Sequence, residues 1–307
     1  MQSVTNPAFS VGPAPGARLG LQTWLVTPGV TPQRFSMSVA SGADVALLDL
    51  EDSVPAGAKD GARADVLTFL ECFEGRPTAG AGPLLGVRIN AAQSLHGLRD
   101  LAAMAERGLW PDLLLVPKVE SSSDVELVTQ AAGRCGPQTQ IWALIESPRA
   151  IMNLSGIVRA RGLSGVLFGA ADYAAATGCR ITTRAMWYPR SVLAAAAASV
   201  GLPAVDSPCF SLEAPDALRR EASEAAELGF VGKVAIHPRQ LPVIREAFAP
   251  SQNELEAACA VLAAAETADG GITTADGAMV GPPLVAAARA VVTRARGSFT
   301  APAGKAS

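Results

Sequence analysis

The sequence predicts an α/β protein, a (β/α)8 TIM barrel with a C-terminal helical lid extension. Eight short apolar runs recur with a mean spacing of about 30 residues, the length of one βα unit. The runs are continuously apolar, as strands covered on both faces require. In 307 residues, 29 glycines and 22 prolines supply the tight connections that so many short elements need. We therefore expect one barrel, for which about 250 residues is the usual length.

The strands are predicted in order along the chain, each followed by a helical pattern. They begin at Leu21, Val45, Leu84, Leu113, Ile141, Gly165, Leu202 and Lys233. Helices are predicted over residues 120–132, 185–200 and 215–228, and Gly201 and Gly229 stand where a helix can end in the left-handed conformation.

The chain continues beyond the eighth unit, although a single helix there completes a barrel. A helix over 251–268, a loop and a last helix over 284–296 are predicted. We assign residues 18–250 to a catalytic barrel domain and 251–297 to a lid or oligomer-contact segment. Residues 1–17 and 298–307 are polar or rich in proline and glycine, and we expect flexible tails there.

Composition narrows the class of function. With 25 Lys and Arg against 28 Asp and Glu, the net charge of −3 favours neither nucleic acid nor a membrane surface as a partner. No uncharged apolar run reaches the roughly 18 residues of a membrane helix, and no export signal is evident, so a cytoplasmic protein is expected. Five cysteines without a CxxC motif indicate reduced thiols. With two histidines, any metal must be held by carboxylates.

Polar residues follow the predicted strands, where a barrel of this kind carries its active site. Glu146 and Asp172 follow strands five and six, so their carboxylates can converge on one hard cation such as Mg2+. Alternatively, each caps the helix that follows it. His237 follows strand eight and is either a base or, as the more frequent case, a loop imidazole with its own partner.

Arg88 ends strand three, and its planar fork suits a carboxylate. It either binds an anionic ligand or pairs internally with the acidic run after strand two. Within that run, Asp49 and Glu51 share a strand face, whereas Asp52 takes the other face or the loop. Lys118, after strand four, allows the same two interpretations as Arg88.

Several strand-end motifs together resemble one known family. They are LVTPG, LLDLED, VRIN, VPKVES, ALIESP, LFGAAD and GKVAIHP, in this order between about residues 22 and 244. The combination is similar to the citrate lyase beta-subunit-like family, the malyl-CoA and citramalyl-CoA lyase branch of the phosphoenolpyruvate/pyruvate-binding TIM barrels.

The resemblance implies roles for individual residues. Glu146 and Asp172 would ligate Mg2+, and Arg88 would bind and polarise an oxo acid. Glu51 and Asp52 would act with Arg88 in catalysis by holding metal-bound waters. Substrate binding is assigned to Arg88, Lys118, Pro28 and Gly29.

The implied reaction is a reversible Claisen or aldol cleavage. A β-hydroxy acyl thioester, on CoA or a carrier protein, splits into an acyl thioester and a small oxo acid. Two alternatives stay open, a metal-dependent aldolase on a free 2-oxo acid and a catalytically impaired homologue that binds an oxo acid or CoA ester. The resemblance also implies a homo-oligomer, a trimer or hexamer.

Two departures from the family pattern bear on the activity. Gln22 and Thr23 replace an Arg-Ser pair at strand one, so a cation that orders the site is expected to be missing. In the loop over 276–282, Gly281 stands where thioester lyases carry an aspartate that acts as general acid/base. Glycine has no group that transfers a proton, so another residue or water must do so.

Overall fold

The computed structural model describes residues 21–73, 82–133, 139–267, 273–275 and 278–298. Its centre is a closed barrel of eight parallel strands in sequence order, which confirms the predicted fold class. The strands are β1 Thr23–Pro28, β2 Val45–Asp49, β3 Leu84–Arg88, β4 Leu113–Val116, β5 Gln140–Ile145, β6 Leu163–Phe168, β7 Ala204–Asp206 and β8 Gly232–Ala235. β1 pairs with both β2 and β8 and closes the ring.

Helices cover the outside of the barrel. They are α1 Phe35–Val39, α2 Lys59–Phe73, α3 Leu95–Arg107, α4 Ser122–Gly133, α5 Pro148–Met152, α6 Leu154–Ile157, α7 Ala170–Thr177, α8 Thr183–Ala198, α9 Pro215–Glu227 and α10 Leu241–Phe248. Short 3-10 turns cover Pro32–Arg34, Ala56–Ala58 and Pro238–Gln240. Gly201 and Gly229, after α8 and α9, have φ of +74° and +93°, the conformation predicted for these glycines.

Alternate strand residues face two cores, which explains why the strand sequences are apolar throughout. Val45 and Leu47 belong to the core inside the barrel, whereas Leu48 packs with the surrounding helices. The inner core contains Trp24 and Trp142, whose ring centroids lie 4.7 Å apart in an edge-to-face arrangement. Both indoles are fully buried.

Buried ion pairs fasten α8 to the last two strands. Asp206 of β7 accepts hydrogen bonds from Arg190 of α8 at 3.0 and 3.1 Å and from Lys233 of β8 at 2.7 Å. All three residues face away from the inner core and are almost fully buried. We interpret this network as structural, because each charge has an opposite charge beside it.

The C-terminal segment consists of α11 Gln252–Thr267, a hairpin of β9 Thr273–Ala275 and β10 Ala278–Val280, and α12 Pro282–Ser298. The sequence predicted both helices, but the hairpin lies in what was predicted as a loop. Val280, Ala258 and Ala288 are buried in this segment. The domain boundary at residue 250 stays a prediction, and Asp276, Gly277 and the tails over 1–17 and 299–307 lie outside the described residues.

No helix within the described ranges has both the length and the apolar composition needed to cross a membrane.

Candidate active site

Asp49 and Arg88 form the base of a charged cluster at the carboxyl ends of the strands. They are paired in register at the ends of β2 and β3. Arg88 donates from Nε and Nη2 to the two Asp49 oxygens at 2.6 and 2.7 Å. Burial opposes the ionisation of Asp49, but hydrogen bonding and the charge of Arg88 outweigh it and hold the Asp49 pKa below its usual range. The internal ion pair predicted as one alternative for Arg88 is therefore present.

Glu51 and Asp52 follow on the β2–α2 loop. Glu51 is buried, and its Oε2 lies 2.9 Å from Arg88 Nη1 without the geometry of a hydrogen bond. Burial raises the pKa of Glu51 against the opposing charges of Arg88 and Lys118. The Asp52 side chain is 58% exposed, with Oδ2 3.9 Å from Arg88 Nη1. As the strand pattern predicts, Asp49 and Glu51 both point at Arg88, and Asp52 faces the rim.

Glu146 directly follows β5, and Asp172 lies in the first turn of α7, which follows β6. Glu146 is 3% exposed and shares a hydrogen bond with Asp172. Burial, and then that hydrogen bond, raises the pKa of Glu146 to about 8. Burial opposes ionisation of Asp172, but hydrogen bonds from Glu146 and Lys118 hold the pKa of Asp172 below its ordinary value. The predicted pair is thus brought together.

Gly169 makes room for the Glu146 side chain. A Cβ atom on Gly169 would lie 2.5 Å from Glu146 Cβ and 2.9 Å from Glu146 Oε2, closer than atoms can pack. The Gly169 N–H also donates to Ile145 O at 2.9 Å, which keeps the two strand ends together. The glycine of the LFGAAD motif is a weak sequence signal, and no role was predicted for it.

Lys118 lies at the centre of the cluster. Its Nζ donates to Asp172 Oδ2 and is 3.5 Å from both Glu146 Oε1 and Glu51 Oε1. Its backbone N–H donates to Glu146 Oε1 at 2.8 Å. Burial alone would lower the pKa of Lys118. The hydrogen bond to Asp172 and the charges of the neighbouring carboxylates have a larger effect in the opposite direction, so the pKa is raised above its ordinary value.

The Lys118 backbone has φ of +54°, the one positive φ of a non-glycine residue in the described part of the chain. For such a residue this conformation costs on the order of 1–2 kcal/mol. A strained backbone conformation persists only where the surrounding structure fixes it, and such residues are frequent at functional sites.

The donor set fits magnesium. Within the described ranges no three His, Cys, Asp or Glu side chains form a ready-made metal cage, so a metal would take Glu146 and Asp172 and fill its shell with other oxygens. Mg2+ is usually bound by one or two carboxylates and keeps several waters. The buried Glu51 Oε2 has no hydrogen-bond donor. The cluster also contains more carboxylates than cations, an excess that a divalent ion offsets.

Pro28 and Gly29 lie at the end of β1, on the same rim. Pro28 is in register with Asp49, and the Gly29 N–H donates to Asp49 O at 2.8 Å. A Cβ on Gly29 would lie 2.6 Å from the same oxygen, so this position packs directly on the end of β2. These contacts position the Asp49 backbone, and the substrate-binding role assigned to both residues stays a prediction.

His237 has a local partner. Its Nδ1 accepts a hydrogen bond from the Arg239 N–H at 3.1 Å and caps the turn after β8. This arrangement agrees with the interpretation of His237 as a loop imidazole.

The expected loss of a site-ordering cation at Gln22 and Thr23 was wrong. Thr23 is the first residue of β1, pairs with Lys233 at the start of β8, and bonds to Asp44 at 2.8 Å. Asp44 lies just before β2, so this is the opposite end of the barrel from Asp49 and Arg88. These two residues therefore lie away from the cluster.

Lys59 is a further residue that the sequence analysis missed. Its Nζ donates to the carbonyl oxygens of Leu50 and Glu51 at 2.8 and 2.7 Å. These bonds fix the loop that carries Glu51 and Asp52. Nothing in its local sequence indicated a role for Lys59, because it lies at the start of the following helix.

The cluster lies within a region of family similarity. Residues 22–238 match the model of the HpcH/HpaI aldolase/citrate lyase family. The chain is 32% identical over 320 residues to L-malyl-CoA/beta-methylmalyl-CoA lyase of Cereibacter sphaeroides, covering 94% of this chain and 98% of that protein. It is 31% identical over 277 residues to (3S)-malyl-CoA thioesterase of that species, with coverages of 88% and 93%.

A solved structure extends the similarity. Protein CitE from Mycobacterium tuberculosis, in complex with magnesium, acetoacetate and coenzyme A, has a TM-score of 0.75 and 31% identity to this chain. The similarity covers 90% of this chain and 98% of that one. The barrel with a carboxylate and arginine cluster at its rim agrees with a family described as aldolases and citrate lyases. This chain belongs to the HpcH/HpaI aldolase/citrate lyase family, which confirms the resemblance found in the sequence.

Proposed function

We propose that the protein is a Mg2+-dependent carbon-carbon lyase that cleaves, or forms by Claisen condensation, a β-hydroxy acyl-CoA. The products are an acyl-CoA and a small oxo acid. The observation that carries the proposal is the convergence of Glu146 and Asp172 beside Arg88, Glu51 and Lys118 on one barrel rim. Membership of the family and the lyase named among its relatives support the reaction class.

Glu146 and Asp172 would hold the magnesium ion. When bound, such an ion acts as a Lewis acid that stabilises negative charge on carbonyl and alkoxide oxygens. Glu51, buried beside the pair, and Asp52, on the rim, would hold water molecules in the remaining space.

Arg88 would bind the oxo acid. Asp49 engages its Nε and Nη2, so the guanidinium is fixed in orientation while Nη1 makes no hydrogen bond to Glu51. A fixed cation in a partly dry site stabilises developing oxyanion charge without reorganising. Lys118, Pro28 and Gly29 complete the proposed substrate contacts.

Cleavage requires two proton movements. The hydroxyl loses a proton as the carbon-carbon bond breaks, and the enolate carbon of the departing acyl thioester gains one. Gly281 supplies no acid, so we assign the second transfer to Asp52 or to water that it holds. Asp52 is the most exposed carboxylate of the cluster and is therefore open to an incoming thioester.

The protein is proposed to act as a homo-oligomer, a trimer or hexamer. The C-terminal segment exposes apolar side chains, with Met279 68% and Leu284 49% exposed. Exposed apolar groups close together are typical of surfaces that bind another protein chain.

The test is an assay with L-malyl-CoA, citramalyl-CoA and citryl-CoA in the presence of Mg2+. Release of oxo acid with acyl-CoA is expected, and release of free CoA thiol alone would indicate a thioesterase. Glu146→Gln and Asp172→Asn should each lower kcat/KM by about 100-fold or more, whereas Glu256→Gln, on exposed α11, should leave it unchanged. Absence of cleavage for all three thioesters would contradict the proposal, and condensation of free oxo acids without CoA would favour the aldolase.

Gly281→Asp tests the missing acid. Among the described residues, only Pro283 Cδ, at 4.0 Å, lies near a Cβ added there, so the variant should fold normally. A rise in turnover is expected if the segment reaches an active site, and unchanged turnover would show that Asp52 or water suffices.

A further inference from the structure

We infer that the Lys118 ammonium is a tethered counter-ion that lies between Glu146 and Asp172 in the metal-free protein and is displaced when a metal binds there. The inference rests on the proposed function, because it places the metal at the same two carboxylates. It makes Lys118 a positioning residue for the metal site, in addition to its proposed substrate contact.

The Lys118 ammonium lies where a metal ion would have to bind. Lys118 Nζ bonds to Asp172 and lies 3.5 Å from Glu146 Oε1, so it occupies the space between the proposed ligands. Two cations within about 4 Å of each other repel strongly, more so away from bulk water. The ammonium and a metal therefore exclude one another from this space.

The backbone of Lys118 also engages the proposed metal ligands. Its left-handed conformation accompanies the N–H bond to Glu146 Oε1, so the main chain and the side chain of one residue both engage the pair. A strained conformation at this position is retained because the surroundings fix it. A lysine that merely covered the surface would need neither feature.

The Lys118 side chain can also move its ammonium away from the two carboxylates. The Lys118 side chain is 39% exposed, and its flexible stem can turn toward solvent. Asp52 Oδ2, 3.9 Å from Nζ and more than half exposed, is a second anion on that path. Arg88 has no such freedom, because Asp49 holds it through two hydrogen bonds. Lys118 is thus the cation of the cluster that a metal can replace.

Acylation of lysines tests the displacement in the intact wild-type protein. The chain has four lysines, Lys59, Lys118, Lys233 and Lys305, so each can be followed by mass spectrometry. An amine held by carboxylates reacts slowly with an acylating reagent, so Mg2+ should raise the rate at Lys118 several-fold. Lys59, bound to two carbonyl oxygens, and fully buried Lys233 are internal controls whose rates should not change.

Metal affinity tests the competition. With the ammonium removed, no internal cation competes with the metal, so Lys118→Met should tighten the Kd for Mg2+ about tenfold if the ammonium occupies the site roughly nine-tenths of the time. Arg107→Met removes one positive charge from a similarly exposed side chain at the C-terminal end of α3 and should change the Kd by less than about twofold. Calorimetric titration of both variants gives these values without an activity assay.

The outcomes separate the two proposals. If Mg2+ produces no binding heat and no rise in Tm in the wild-type protein, the metal site and this inference both fall. If Mg2+ binds but Lys118 acylation is unchanged or slower, or Lys118→Met binds Mg2+ no tighter than Arg107→Met, the inference alone is overturned. The acylation result decides the question even if Lys118→Met does not fold.

Discussion

A single missing side chain determines the geometry of the proposed metal pair. Gly169 leaves the space that Glu146 fills, with a hypothetical Cβ only 2.5 Å from Glu146 Cβ. Gly169→Ala should displace the Glu146 carboxylate and abolish the Mg2+-dependent rise in Tm. Gly61→Ala is the matched control, because Gly61 is exposed in α2 with open space around it. That variant should gain about 0.5–1 kcal/mol of stability and keep its response to Mg2+. A normal response in Gly169→Ala would contradict this account.

The raised pKa of Glu146 predicts a pH dependence. Burial and the hydrogen bond to Asp172 put it at about 8, so the metal-free protein retains this proton at neutral pH. A metal needs the carboxylate, and its affinity should therefore rise by up to about tenfold per pH unit below pH 8 and level off above it. Because the folded pKa is above the unfolded one, the metal-free protein should lose stability as the pH rises from about 4.5 through 8.

Calorimetric Mg2+ titrations and melting curves between pH 6 and about 9 measure both effects. The variant Glu146→Gln should show neither dependence. An affinity for Mg2+ that is flat over this range in the wild-type protein would show that Glu146 is ionised without the metal.

At the scale of elements, the Asp49–Arg88 pair joins the ends of β2 and β3. Asp49 is fully buried and also accepts from the Glu51 N–H at 2.9 Å. Asp49→Asn removes the carboxylate that accepts two hydrogen bonds from Arg88 and should lower the free energy of unfolding by about 3 kcal/mol in urea titrations. Glu71→Gln breaks an exposed pair with Arg107 and should cost less than about 1 kcal/mol. Equal losses in the two variants would refute a special role for the buried pair.

The elements were largely predictable because strand and helix patterns are local. Apolar runs identified all eight strands, and the position of Glu146 and Asp172 after adjacent strands predicted their convergence. The hairpin of β9 and β10 was not predictable, since each strand has three residues and no apolar alternation. Lys118 lies between carboxylates that come from three other strand ends, and no linear pattern reports such a meeting point.

At the scale of the whole molecule, the proposed oligomer depends on exposed apolar surface in the C-terminal segment. Leu284→Glu should reduce the molar mass measured by light scattering to a smaller multiple of the 31.4 kDa chain. An acidic residue in the first turn of α12 suits the helix dipole, so the helix itself should persist. Leu98→Glu, at an equally exposed leucine of α3, should leave the mass unchanged. A monomeric wild-type protein would refute the proposal of an oligomer.

The two tryptophans inside the barrel restrict how ligands reach the cluster. Trp24 and Trp142 fill the barrel interior edge to face, and both are fully buried, so nothing passes through the ring. In the described part of the chain, ligands therefore reach the cluster from the charged rim. Two products that leave by the same rim must do so in order. The product bound nearer the barrel interior is expected to leave last.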